Sequence, residues 1–233
     1  SIGSWFESKP RSHSFPGDGM SRQVISTSLS VGLATGLYGV SFGAIGSAAG
    51  LTVPAVMLLS LLMFSGASQF AFVGIVAAGG APITAISSAW LMGVRNSFYG
   101  LRLNTVIGPR GLWRLLAAQL TIDESNAVSA AQEGPRDQKL GFWLTGGAVF
   151  VFWNTATLLG ALAGNLFGSV EAWGLDGAAA AAFLGLLWPR LKNNLALAGI
   201  GALVALIAIP LTPAGVPVLL AAVVALLPIG GKK

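Results

Sequence analysis

The chain has 233 residues, of which 54% are hydrophobic and only 9% are charged. Soluble domains carry about 25% charged residues, so this composition excludes an ordinary soluble protein. The absence of cysteine excludes disulfides and thiolate metal sites. The net charge of +5 comes from basic residues scattered in short polar segments, which is typical of membrane-protein loops and not of nucleic-acid binding.

Three long stretches of the sequence contain no charged residue: 23–94, 140–170 and 193–231. A membrane-spanning helix needs about 20 apolar residues, so each stretch is long enough for at least one span. We therefore predict an all-α, polytopic membrane protein with about six or seven transmembrane segments, some of them broken or re-entrant.

The predicted elements begin after residues 1–22, where Ser, Gly and Pro dominate and indicate a disordered tail. Residues 23–231 form a single predicted transmembrane domain, which clusters of Gly and Pro divide into segments. The apolar segments are 24–48, 54–78, 82–107, 139–165, 175–189, 194–210 and 214–229, with an amphipathic helix at 112–131.

The loops also predict an orientation, because Lys and Arg accumulate in cytoplasmic loops. The loop at 190–192 and the last two residues are basic, whereas the loop at 166–176 is acidic. This pattern predicts a cytoplasmic C-terminus. With a cytoplasmic N-terminus and three spans, the first half of the chain would place basic residues outside, against this rule. Either one early segment is re-entrant, or 112–131 crosses the membrane, or the N-terminus lies outside.

Small residues interrupt two early segments. Segment 24–48 has glycine at every third or fourth position from 32 to 46. This spacing is typical of close helix packing, with a broken transporter helix as the alternative. In segment 54–78, Ser65–Gln69 form a small and polar stretch at mid-membrane depth. We predict that this stretch is a non-helical break lining a substrate cavity. Its candidate binding residues are Ser65, Gly66, Ser68 and Gln69.

Arg95 is the first charged residue after Arg22 and lies within segment 82–107. On a helix it shares one face with Tyr99 and Arg102. An arginine near the bilayer centre costs about 2.5–3.5 kcal/mol on insertion scales, so we predict that it faces a polar cavity. The alternative is that the segment ends early and the side chain snorkels to the interface.

The candidate partners of Arg95 are the adjacent acids Asp123 and Glu124. On a helix, Asp123 shares a face with Gln119 and Asn126. A carboxylate beside an arginine in a low-dielectric cavity can bind and release protons as its surroundings change. We therefore predict that the two acids take part in proton coupling, with an interfacial helix and solvated acids as the alternative.

A third polar group, Asn154 with Thr155 and Thr157, lies midway along segment 139–165. It makes either interhelical hydrogen bonds or, through Asn154, substrate contacts. No His lies in a predicted span and Lys139 stands only at the start of one, which argues against an intramembrane serine protease. We predict no enzyme activity, no cofactor and no metal site.

Four motifs resemble the AzlC family in their order and spacing: FSGASQF at 64–70, VRNSFYGLRL at 94–103, TIDESNAVSAA at 121–131 and GLDGAAAAAFLGLL at 174–187. The resemblance covers about 30–230. It implies the large subunit of a bacterial branched-chain amino acid exporter in the cytoplasmic membrane. It also implies a small, four-span partner subunit of the AzlD type.

The resemblance further implies export of leucine, isoleucine and valine, with methionine as a further candidate, driven by proton entry. Family motifs match Phe64–Gln69, Arg95 with Asn96 and Tyr99, and the pair Asp123-Glu124. The family commonly carries His where this chain has Asn96. If that imidazole serves proton coupling in relatives, this chain must use another group or couple differently. The alternative function is a passive channel or a scaffold subunit for another transporter.

Overall fold

The computed structural model describes residues 16–164, 184, 188, 191–192 and 194–224, with side chains from residue 22 onward. All the regular elements in this part of the chain are α-helices, which confirms the predicted all-α class. They are α1 Pro16–Ala48, α2 Val53–Leu62, α3 Gly66–Ala77, α4 Pro82–Ile107, α5 Trp113–Gln119, α6 Asp123–Ala130, α7 Pro135–Gly164, α8 Leu195–Ala208 and α9 Val216–Val223.

Two of these helices, α1 from Arg22 and α7, are long and apolar enough to cross a membrane. They pack against each other along their length, and glycines of α1 allow the close approach. A Cβ atom at Gly43 would lie 2.1 Å from the carbonyl oxygen of Thr157, and one at Gly36 would lie 2.5 Å from the Cβ of Phe152. Because α1 is unbroken, the packing interpretation of its glycines is confirmed.

Both long helices begin earlier than the sequence predicted. The tail predicted at 1–22 is too long, because α1 already begins at Pro16, and α7 begins at Pro135 where the apolar segment was predicted from 139. Proline suits the first position of a helix, since its φ is already helical and no N–H is needed there. A prediction based on apolar composition misses such polar first turns.

Two successive units of the chain share one architecture. Each has a short helix, a three-residue break, a second short helix, a four-residue loop and a long helix; the first is α2–α3–α4 and the second is α5–α6–α7. Each long helix starts with proline. Identical residues occupy corresponding places around the loops: Ala77 and Ala130, Ala78 and Ala131, Pro82 and Pro135, Trp90 and Trp143.

The first break does not lie where it was predicted. The non-helical residues are 63–65, whereas 66–69, the remainder of the predicted break, form the first turn of α3. The reason is Gln69, whose amide reaches back to donate to the carbonyl oxygens of Leu59 (3.2 Å) and Ser60 (3.4 Å). These carbonyls lie in the last turn of α2, where helix geometry leaves several carbonyl groups outside the ladder; that of Leu59 also accepts from the backbone N–H of Met63 at 3.0 Å.

The helix predicted at 112–131 is in fact two helices, separated by a break at 120–122. The hydroxyl of Ser125 accepts from the backbone N–H of Ile122 (3.1 Å) and donates to the carbonyl of Leu120 (2.6 Å). Such local side-chain bonds give the backbone an alternative to the helical ladder. The amide of Gln119 donates to the carbonyl of Leu61 at 2.7 Å, which joins the end of α5 to the end of α2.

The structure describes only part of the predicted C-terminal segments. Predicted segment 194–210 is present as α8, and segment 214–229 begins as α9. Apart from Leu184 and Trp188, the predicted segment 175–189 lies outside the described residues, as do residues 225–233.

Candidate functional site

A cavity of about 80 Å³ lies where the two breaks meet. Phe64, Ser65 and Gly66 border it from the first break, and Ile122, Asp123 and Glu124 border it from the second. Volume of this order accommodates a small solute or several waters. The remaining wall residues are Thr35 and Tyr38 of α1, Ala67 and Phe70 of α3, Arg95 and Asn96 of α4, and Val149 and Trp153 of α7.

An ion pair forms one wall of this cavity. The Nη2 atom of Arg95 donates to Oδ2 of Asp123 at 2.5 Å, and the hydroxyl of Tyr99 donates to Oδ1 at 2.8 Å. The predicted pairing of Arg95 with the Asp123-Glu124 acids is therefore present, with Asp123 as the partner. The two charged side chains are 34% and 23% exposed, so the pair borders an accessible space and is not sealed in the core.

The polar face of α4 continues beyond the ion pair. Arg102 donates to Oδ1 of Asn126 at 3.2 Å, so successive turns of α4 contact successive turns of α6. The predicted common face of Asp123 and Asn126 is thus correct. Gln119 does not share it, because the break at 120–122 turns α5 away from α6.

Glu124 also borders the cavity and is partly buried. Both carboxylate oxygens of the neighbouring Asp123 already accept hydrogen bonds. Glu124 is therefore the acid of the pair that can meet a cationic group of a ligand without displacing Arg95 or Tyr99.

The structure divides the predicted substrate residues into two groups. Ser65, Gly66, Arg95 and Asn96 border the cavity. The others make protein contacts beside it: Ser68 donates to the hydroxyl of Ser65 at 3.1 Å, Gln69 and Tyr99 make the bonds given above, and Asn154 donates to the carbonyl of Phe150 at 2.7 Å.

Thr157, of the third polar group, accepts from the hydroxyl of Ser60 at 3.3 Å, which is the interhelical contact expected of a threonine in a membrane helix. A groove next to the cavity shares the walls formed by Phe64, Ser65 and Asn96, and Ser68 borders this groove. Asn96 thus separates two adjoining spaces.

Sequence reasoning did not assign a site role to Trp153 or to the apolar walls at Ile122 and Val149. An apolar or aromatic residue in a hydrophobic span carries no signal that distinguishes a cavity wall from a core position. Only the geometry of the two breaks identifies them.

The cavity combines charged groups on one side with apolar and aromatic walls on the other. Such a lining suits a small amphipathic solute. Among the described residues there is no group of three or more His, Asp or Glu side chains able to hold a metal ion.

The fold and the cavity define a helical membrane protein whose broken helices enclose a polar site, an arrangement found in transporters. The AzlC protein family matches residues 30–167, more than half of the chain, and the chain belongs to this family. AzlC is a family of the membrane transporter type. The fourth motif, at 174–187, lies outside the matched region.

A membrane protein of Haemophilus influenzae, described as "Uncharacterized membrane protein", is 26% identical over 159 residues. The alignment covers 66% of this chain and 60% of the relative, so the chain spans about 60% of the length of the curated relative it matches. No solved structure matches the chain significantly.

Proposed function

We propose that the protein exports branched-chain and related hydrophobic L-amino acids, coupled to proton entry, as the large subunit of a two-component exporter in the bacterial cytoplasmic membrane. The observation that carries the proposal is the cavity between the breaks, where Arg95, Asp123 and Glu124 face apolar walls.

The chemistry of the cavity suits an aliphatic zwitterion. The ammonium group of an amino acid needs an acid, which Glu124 supplies, and its carboxylate needs hydrogen-bond donors. Its aliphatic side chain needs an apolar surface, which Phe64, Ile122 and Val149 supply. The substrates leucine, isoleucine and valine, with methionine as a further candidate, fit this combination of one charged end and one apolar end.

The two broken helices favour a transport function over a scaffold function for another protein. In secondary transporters, discontinuous helices in repeated units often surround the substrate near the bilayer midplane, and movement of one unit against the other alternates access. Here the break at 63–65 and the break at 120–122 belong to two similar units and border one cavity.

Proton coupling is assigned to Asp123 and Glu124. Asn96 has no titratable group in the physiological range, so it cannot take the part of a histidine at this position. An acid pair beside Arg95 changes its interactions whenever the cavity opens to water or closes, and this supports a proton-exchange role.

Counterflow of leucine tests the proposed transport. Vesicles prepared from the source bacterium with the chain overproduced are loaded with unlabelled leucine and diluted into labelled leucine. We expect transient accumulation of label above equilibrium, because an alternating carrier exchanges substrate across the membrane. A passive channel gives equilibration without this overshoot, and a scaffold subunit gives no rate that depends on the chain.

The proposal includes a small AzlD-type subunit as partner and a cytoplasmic C-terminus. Reconstitution of the purified single chain into liposomes tests whether transport requires the small subunit. We expect leucine transport to be restored only when the small subunit is added, and full transport by the single chain would contradict this part of the proposal.

A further inference from the structure

We propose that the carboxylate of the amino acid substrate is bound by the first turn of α3 together with the indole N–H of Trp153. This subsite rests on the proposed function and assigns the substrate a direction within the cavity.

The first turn of α3 lies at the cavity and has backbone N–H groups that the helical ladder does not use. The helix has 12 residues, and its N-cap, Ser65, makes no side-chain capping bond. The first N–H of the helical ladder is that of Gln69, which donates to the carbonyl of Ser65 at 3.0 Å. The preceding N–H groups lie outside the ladder, and the helix dipole favours an anion beside them. Gly66 and Ala67 of this turn border the cavity.

Trp153 supplies the second, independent observation. Its side chain is only 4% exposed, and within the described part of the chain its Nε1 atom is buried without a hydrogen-bond partner. Buried polar groups are nearly always hydrogen bonded, so such a donor needs an explanation. The indole borders the cavity, and the edge of its six-membered ring lies against the start of α3, since a Cβ atom at Gly66 would be 3.3 Å from Cη2 and 3.8 Å from Cζ2.

Arg95 is less suited to binding the substrate carboxylate. Its Nη2 atom is engaged by Asp123 at 2.5 Å, so a substrate carboxylate at Nη2 would compete with a fixed acid, while Nε is buried without a partner among the described residues. The start of α3 and Trp153 carry no such competitor. With the carboxylate there, the ammonium group is directed toward Glu124 at the opposite break.

Substitution Trp153→Phe tests the subsite, because it keeps an aromatic ring and removes only the N–H. The matched control is Trp143→Phe on the same helix, where the indole packs against Trp113 and Phe142 and does not border the cavity. Leucine counterflow is measured in vesicles of the source bacterium while unlabelled leucine or 3-methylbutylamine competes. The amine is leucine without its carboxylate.

We expect wild-type protein and Trp143→Phe to prefer leucine strongly over the amine. In Trp153→Phe the ratio of the two inhibitory concentrations should fall about tenfold, the usual effect of losing one hydrogen bond to a charged group. An unchanged ratio, or an equal weakening of both competitors, would overturn the subsite. Failure of the proposed function is distinguishable, because wild-type protein would then show no leucine counterflow.

A second pair of variants keeps the test valid if Trp153→Phe is not produced. Gly66→Ala places a methyl group against the indole, whereas Gly74→Ala on the same helix meets nothing within 4 Å. We expect Gly66→Ala to weaken competition by leucine more than competition by 3-methylbutylamine, and Gly74→Ala to change neither. Equal effects of Gly66→Ala on both competitors would also overturn the proposal.

Discussion

Arg95 of α4 and Asp123 of α6 form an ion pair at 2.5 Å, although 28 residues separate them in the chain. The pair joins the long helix of the first repeated unit to the second break. Because both side chains are partly exposed at a cavity, the pair does not behave as a sealed core contact, and its free energy is reduced by solvent. Its position explains why a charge-poor chain keeps an arginine within an apolar helix.

The contact of α1 with α7 leads to the first prediction. Gly43→Ala should destabilise the protein by about 1–3 kcal/mol or more, as overpacking does, because the new methyl group would meet the carbonyl of Thr157. Gly147→Ala on α7 is the control, since nothing lies within 4 Å of its Cβ position. Thermal unfolding of both variants in detergent checks this. Equal unfolding temperatures would show that the two helices do not pack this closely.

The second prediction concerns Gln69, which is fully buried and stabilises the open end of α2. Gln69→Leu keeps much of the volume but removes the side-chain donor from the buried carbonyl of Ser60 and from the partly buried carbonyl of Leu59, at a cost of about 1–3 kcal/mol. In Gln132→Leu, the comparison variant, only a bond to the carbonyl of Val128 in the preceding turn is lost. We expect Gln69→Leu to unfold at clearly lower temperature than Gln132→Leu. The reverse order would contradict the capping role of Gln69.

Much of the fold is readable from the sequence because lipid imposes long apolar runs. The bounds of α4 and the pairing of Arg95 with an acid at 123–124 follow from such runs and from helical spacing. The positions of the breaks do not follow from apolar runs or helical spacing. They depend on Gln69 and Ser125, whose bonds to backbone groups up to ten residues away are not encoded in any local pattern.

The repeated units were also open to detection from sequence. Comparison of 77–93 with 130–146 aligns Ala-Ala, Pro, Trp-Leu and Gly at matching places. Trp153 was not detectable in this way, because its position at the cavity depends on how α7 faces α3.

The third prediction concerns proton coupling by Glu124. Glu124→Gln removes the titrating group and keeps the size of the side chain, so export driven by an inward proton gradient should fall to the rate seen without a gradient. Leucine exchange in the absence of a gradient should persist at saturating leucine, with a weaker apparent affinity because the substrate's ammonium group loses its acid. Glu133→Gln, at an exposed position, is the control. Gradient-driven export at the wild-type rate in Glu124→Gln would rule out this acid as the coupling group.

The fourth prediction concerns Asp123, which accepts from both Arg95 and Tyr99. Asp123→Asn leaves Arg95 without its counter-charge, and a charge in a low-dielectric cavity then binds the substrate carboxylate or an anion in its place. We expect the leucine exchange rate to fall at least tenfold and its dependence on pH to change. Asn126→Asp, one turn along α6, serves as a comparison. If Asp123→Asn exchanged leucine as the wild type does at each pH, the ion pair would be dispensable for transport.

The initial rate of leucine counterflow in Arg95 variants tests the role of the ion pair at the cavity most directly. Arg95→Ala and Arg95→Lys are compared with Arg102→Lys at matched amounts of protein in the membrane. Lysine keeps the charge but lacks the planar guanidinium that holds a carboxylate, whereas Arg102 makes one exposed contact with Asn126. We expect a loss of at least tenfold in Arg95→Ala, a poor recovery in Arg95→Lys and a near wild-type rate in Arg102→Lys. Wild-type rates in both Arg95 variants would contradict a functional ion pair at this cavity and reduce Arg95 to an interfacial anchor.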